Sequence, residues 1–85
     1  MNMRNTVGNL LGEIRIELDK STQKHGEMAS AHEGFAIIAE ELDELWDHVK
    51  GDTAYTEDAY KEAIQIAAMG AKFAQMIADR NGWQN

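Results

Sequence analysis

The sequence predicts an all-α fold, and three observations carry that prediction. Proline is absent, twelve alanines lie mostly in the second half, and apolar residues recur with helical rather than strand spacing. Proline is the strongest helix breaker and alanine the best helix former, so both compositional facts point the same way. Gly26, Gly51 and Gly82 each close a periodic segment behind a basic or amide residue, the pattern of a helix C-terminus. Three helices result.

The first spans about residues 5–24, from Asn5 to Lys24, with Val7, Leu10, Leu11, Ile14 and Leu18 on one face. The second opens at Ser30, where Ser30-Ala31-His32-Glu33 reads as a capping box, and runs to about Lys50. Its apolar stripe is Phe35, Ile38, Leu42, Leu45, Trp46 and Val49. The third starts near Thr56, with Glu57 and Asp58 favourable in its first turn, and continues to about Arg80.

This third helix is apolar around most of its circumference. Ile66, Met69, Phe73, Met76 and Ile77 make one face, and Ala63, Ala67, Gly70, Ala71, Ala74 and Ala78 a small-residue face beside it. Lys61, Lys72, Gln75 and Asp79 are left as its solvent stripe. A helix apolar on two sides must be covered on two sides. Two other helices of one chain can hardly do that and also shield each other. The expectation is therefore a single domain over residues 1–85, a three-helix subunit of an antiparallel bundle completed by homo-oligomerisation, as a dimer or tetramer.

Size and composition bound the function. A chain of 85 residues makes one domain, near the length where a single core is barely sufficient. The absence of cysteine excludes disulfides, zinc–thiolate sites, iron–sulfur clusters and thiol nucleophiles. A net charge of −7 argues against a nucleic-acid surface. The longest apolar run, Phe35 to Ala39, is five residues, against the ~18 that span a bilayer. Glu13 interrupts the N-terminal apolar residues before a signal peptide develops, so the expected location is the cytoplasm. No Gly-rich phosphate loop, nucleophile elbow or twelve-residue calcium loop is present.

The densest charge cluster is Glu40-Glu41-Leu42-Asp43-Glu44-Leu45-Trp46-Asp47. On a helical wheel Glu41 lies at the edge of the apolar stripe and Glu44 one turn along on the same flank, with His48 nearby. Glu40, Asp43 and Asp47 point away. The i, i+3 spacing lets Glu41 and Glu44 converge on one point. The plain reading is a solvated acidic face. Glu62 is harder to dismiss, because it falls among the apolar residues of the third helix, aligned with Ile66, Met69 and Phe73. A carboxylate there must be paired, protonated or bound to a cation. Gln65 follows one turn later. Three carboxylates and an amide from two helices make an all-oxygen donor set, which suits magnesium or manganese rather than zinc. The competing reading of Glu62 is an ion pair with Lys20, Lys24 or a lysine of a second chain.

The order Glu41-Leu42-Asp43-Glu44, a gap, then Glu62-Ala63-Ile64-Gln65 resembles the signature of the all-α nucleotide pyrophosphohydrolases, the MazG-like superfamily. The resemblance extends from about residue 25 to residue 76. It implies that Glu41, Glu44, Glu62 and Gln65 hold Mg2+ (or Mn2+) against a nucleoside triphosphate substrate. Gln65 stands where the family has an aspartate, and family members usually supply four or more helices. Hydrolysis between the α and β phosphates would yield a nucleoside monophosphate and pyrophosphate, with Glu41 or Glu44 as the base that takes a proton from water. Lys24, His25 and Lys72 are the candidates for the distal phosphates, each with a plainer reading as a helix-end or solvent-stripe residue. Trp46 could stack on a base or pack in the core. His32 reads as a first-turn residue, and Met28, Met69 and Met76 as apolar filler. Two rivals stay open: a non-catalytic oligomeric binding or regulatory module that kept the fold, and a phosphoribosyl-ATP pyrophosphohydrolase.

Overall fold

A computed structural model describes residues 7–83. These form three helices and no strand: α1 (Val7–His25), α2 (Ala31–Lys50) and α3 (Glu57–Asn81). The expected start of the first helix at Asn5 lies outside the described residues. None of the three helices is long and apolar enough to cross a membrane.

The boundaries follow from caps. Ser30 is extended at φ −158° and ψ 163°, and its hydroxyl accepts the Glu33 N–H at 3.1 Å. The Glu33 carboxylate reaches back to the Ala29 N–H at 3.0 Å, one residue earlier than in the ordinary box. Thr56 caps α3 by accepting the Ala59 N–H at 3.3 Å. At the far end Gly82 adopts φ +69°, which lets Trp83 N–H return to the Ala78 carbonyl at 2.9 Å. Gly51 behaves differently. Its φ is −90°, and Asp52 takes the left-handed conformation in its place, at φ +60°.

Helix α3 is central: α1 and α2 each pack on it and not on one another. Along α1, Glu13 accepts from the Tyr60 hydroxyl, Glu17 from the Gln65 amide and Ser21 from the Lys72 ammonium. The residue order rises on both sides, so α1 and α3 run in the same sense. Between α2 and α3 the order reverses, with Glu44 against Glu62, Gly34 against Phe73 and Ala29 against Arg80. The core is Met28, Ala68, Met69 and Met76, flanked by Ile14, Leu18, Ile37, Ile38 and Phe73. The methionines expected as filler occupy its centre.

Gly34 shows how close α2 and α3 approach. A Cβ at this position would stand 2.7 Å from a Phe73 ring carbon and 2.8 Å from the Met28 sulfur. Overpacking of that kind costs about 1–3 kcal/mol. Gly34→Ala is therefore expected to lower the urea midpoint despite alanine's better helix propensity; an unchanged or raised midpoint would contradict this packing.

Four expectations are corrected. Lys72 is not on a solvent stripe but is 8% exposed. Its ammonium donates to the Gly26 carbonyl at 2.9 Å and the Ser21 hydroxyl at 3.0 Å. It thus sits at the C-terminal end of α1, whose partial negative charge favours a cation there. Trp46 is not a core residue: it is 55% exposed, alongside Phe35 at 69%, Leu42 at 55% and Val49 at 46%. The α2 side turned to α3 is instead the line Gly34, Ile38, Glu41 and Leu45, rotated away from the expected stripe. Leu11 is likewise exposed, off the face that α1 turns to α3. On α3 the small-residue face divides, with Ala78 buried but Ala63, Ala67, Gly70 and Ala74 open.

Candidate metal centre

Two helices running in opposite senses bring three carboxylates together. Glu41 and Glu44 project from neighbouring turns of α2, and Glu62 comes from the second turn of α3. One oxygen of each lies within 4.8 Å of the others. Glu41 and Glu62 are half-buried and Glu44 is exposed. Together with His48, Asp58, Lys61 and Gln65 they line an open cleft of about 480 Å³. His48 is tied down through a 2.9 Å contact between its Nδ1 and the Thr53 hydroxyl.

The electrostatics follow from crowding like charges. The Glu62 carboxyl is pushed up to about 7, first by sharing a proton with Glu41, then by burial and by the charge of Glu41. A hydrogen bond with Glu44 and the nearby His48 act in the opposite direction. Glu44 is also raised, chiefly by its hydrogen bond to Glu62 and the charge on that group. Neither Lys20 nor Lys24 is the partner of Glu62 within the chain. Among the described residues the ion pairs are Arg15–Asp19, Lys20–Glu17 and Lys50–Asp47, and none involves Glu62. A cluster that retains a proton near neutrality for want of a counter-charge is chemically suited to a hard divalent cation, which would displace the proton.

Gln65 lines the same cleft, with its amide nitrogen donating to the Glu17 carboxylate of α1. An ionised carboxylate only accepts, so the amide is oriented with its nitrogen toward α1. Its oxygen is the one atom that could join the donor set. Glu17 is a neighbour that sequence spacing did not reveal, because it comes from a helix outside the two motif segments. Asp58 is the other; its place one helical turn before Glu62 was the available signal.

The basic candidates occupy a second, larger cleft of about 720 Å³. Lys20, Lys24, His25 and Lys72 line it, with Met28, Ile37 and Met69 as apolar wall. Lys24 and His25 are exposed. Glu41 and Gln65 line both clefts and form the boundary between them. Counting 1.5 Å per residue, Lys72 lies about 15 Å along α3 from Glu62. The structure therefore gathers Glu41, Glu44 and Glu62 at one point, with Gln65 on the wall of the same cleft, and leaves Lys24, His25 and Lys72 around an adjoining one.

No family model, curated protein or solved structure matches this chain.

Proposed function

We propose that this chain is a small divalent-metal-dependent nucleoside triphosphate pyrophosphohydrolase of the MazG-like type, working as a homo-oligomer. The observation that carries the reading is the convergence of Glu41, Glu44 and Glu62 from two helices, none of them in an ion pair among the described residues. Glu41, Glu44 and Glu62 would hold Mg2+ or Mn2+, with the Gln65 oxygen as the neutral fourth donor. The ion, when bound, supplies charge neutralisation on the phosphate oxygens and lowers the pKa of water.

The rest falls to side chains. Glu44, the most exposed of the three, is the candidate to take a proton from the attacking water. Lys61, on the rim of the carboxylate cleft, is nearer than Lys72 to any phosphate placed there. The larger cleft, with its methionine and isoleucine wall and rim lysines, suits the remainder of a nucleotide. Lys24 and His25 are at its mouth, and Lys72 is already committed to two neutral oxygens on α1.

One observation favours the non-catalytic module. The neutral amide at position 65 is engaged by Glu17, so the centre has three formal charges rather than four. The test is to incubate the protein with each nucleoside triphosphate and Mg2+ and follow pyrophosphate. Release that disappears in Glu62→Gln is expected; no release from any nucleotide at high protein concentration would leave the binding module as the better account.

A further inference from the structure

Helices α2 and α3 together expose an apolar face on the side away from α1, with the Lys50 ammonium at its edge, 5.9 Å from the centre of the Trp46 ring. On α2 it consists of Phe35, Ala39, Leu42, Trp46 and Val49, spaced 4-3-4-3, the interval of a helix-packing seam. On α3 it consists of Ala63, Ala67, Gly70 and Ala74, with Ile66 and Ile77 beside them. Relative to the line of α2–α3 contact, the α2 seam is turned by about 90° and the α3 stripe by about 110°, both in the direction of rising residue number at 3.6 residues per turn. Because the two helices run in opposite senses, these rotations bring both stripes to the same side. Ile64, Ala68 and Lys72, which face α1, lie on the other side, as do the α2 residues Glu33 and Ile37 that line the larger cleft.

The shape of this face identifies its occupant. A ridge of large side chains on α2 lies next to a trough of alanines and glycine on α3. A two-fold axis parallel to the two helices places each ridge on the partner's trough. We infer that the face is covered by a second copy of this chain, with the α2 ridge of each protomer seated on the α3 trough of the other. Size agrees with that occupant. The seam is about 21 Å long and the two helices are together about 20 Å wide, roughly 400 Å² in projection. Accessible area exceeds projection, so this approaches the ~800 Å² per partner of a stable interface. The carboxylate cluster, on the opposite side of α2, stays open in such a dimer.

Gly70 gives the sharpest test. A side chain there meets nothing within 4 Å in the single chain, and leucine is a far better helix former than glycine. A monomer would therefore gain stability from Gly70→Leu, whereas the paired trough would be filled. Sedimentation at about 50 μM is expected to give twice the 9.5 kDa chain mass, or a multiple of that dimer. Gly70→Leu and Leu42→Glu are each expected to raise the dissociation constant of this pairing at least tenfold and halve the observed mass. A parent mass of 9.5 kDa would overturn the inference and point to a different protein as the occupant. An oligomer whose mass neither substitution changes would overturn it too. Should Leu42→Glu fail to fold, Gly70→Leu still decides. None of these outcomes depends on metal binding or hydrolysis.

Discussion

Glu62→Gln is expected to melt above the parent at pH 8 without divalent cations, and to lose the gain that Mg2+ gives the parent. The sign follows from proton linkage. The Glu62 carboxyl titrates near 7 in the folded chain and near 4.5 when unfolded. Its contribution to stability is thus complete below about pH 4.5 and is lost as pH rises through 7. Above 7 the folded chain holds three carboxylates together without a counter-charge. The glutamine variant relieves that repulsion. The cleft is open to solvent, so screening limits the gain to about 1 kcal/mol, or roughly 4–8 °C for a domain of this size. At pH 5 the advantage should vanish. In the parent, a saturating cation replaces the shared proton, and each tenfold excess over its dissociation constant adds about 1.4 kcal/mol. Hydrolysis in the variant should fall by at least about 100-fold. A pH-independent difference in melting temperature would show that the carboxylates do not repel one another as the geometry requires.

Gln65→Asp has the second large effect, and it divides into a gain and a loss. A fourth negative donor at the cleft should tighten Mn2+ by about tenfold, well below the unscreened Coulomb value for charges about 4 Å apart. The metal-free protein should meanwhile weaken. Its new carboxylate can no longer donate to Glu17, and the two would repel across the α1–α3 contact. Lower stability without tighter Mn2+ binding would mean that position 65 serves only the contact with α1. Tighter binding accompanied by faster pyrophosphate release would assign the missing charge as the factor that restrains the proposed hydrolysis in the parent.

The elements were legible in the sequence because their signals are local. Ser30, Thr56 and Gly82 act within one turn of chain, and each marks the boundary it was expected to mark. The Glu41, Glu44 and Glu62 cluster was also within reach. Glu-x-x-Glu fixes two groups on one helix flank, and a carboxylate among apolar residues had to find a partner across the bundle. What periodicity could not supply was the rotation of each helix about its axis. Helix α2 has apolar residues on more than half its surface, so the side facing α3 was ambiguous, and Trp46 and Leu42 were assigned inward when they point out. Lys72 misled for a related reason. Its charge suggested solvent, but the end of α1 offers two oxygens that no reading of α3 alone could foresee. Glu17 was hidden because its link to Gln65 joins segments 48 residues apart.

The most direct measurement is a Mn2+ titration of the parent and Glu62→Gln at pH 8, read by the loss of free-ion paramagnetic resonance. Three convergent carboxylates predict saturable binding in the parent, weakened at least tenfold in the variant. Below pH 7 the parent's affinity should fall as the shared proton competes with the ion. Equal, weak and non-saturable uptake by both proteins would contradict a metal centre at Glu41, Glu44 and Glu62, and with it the proposed chemistry.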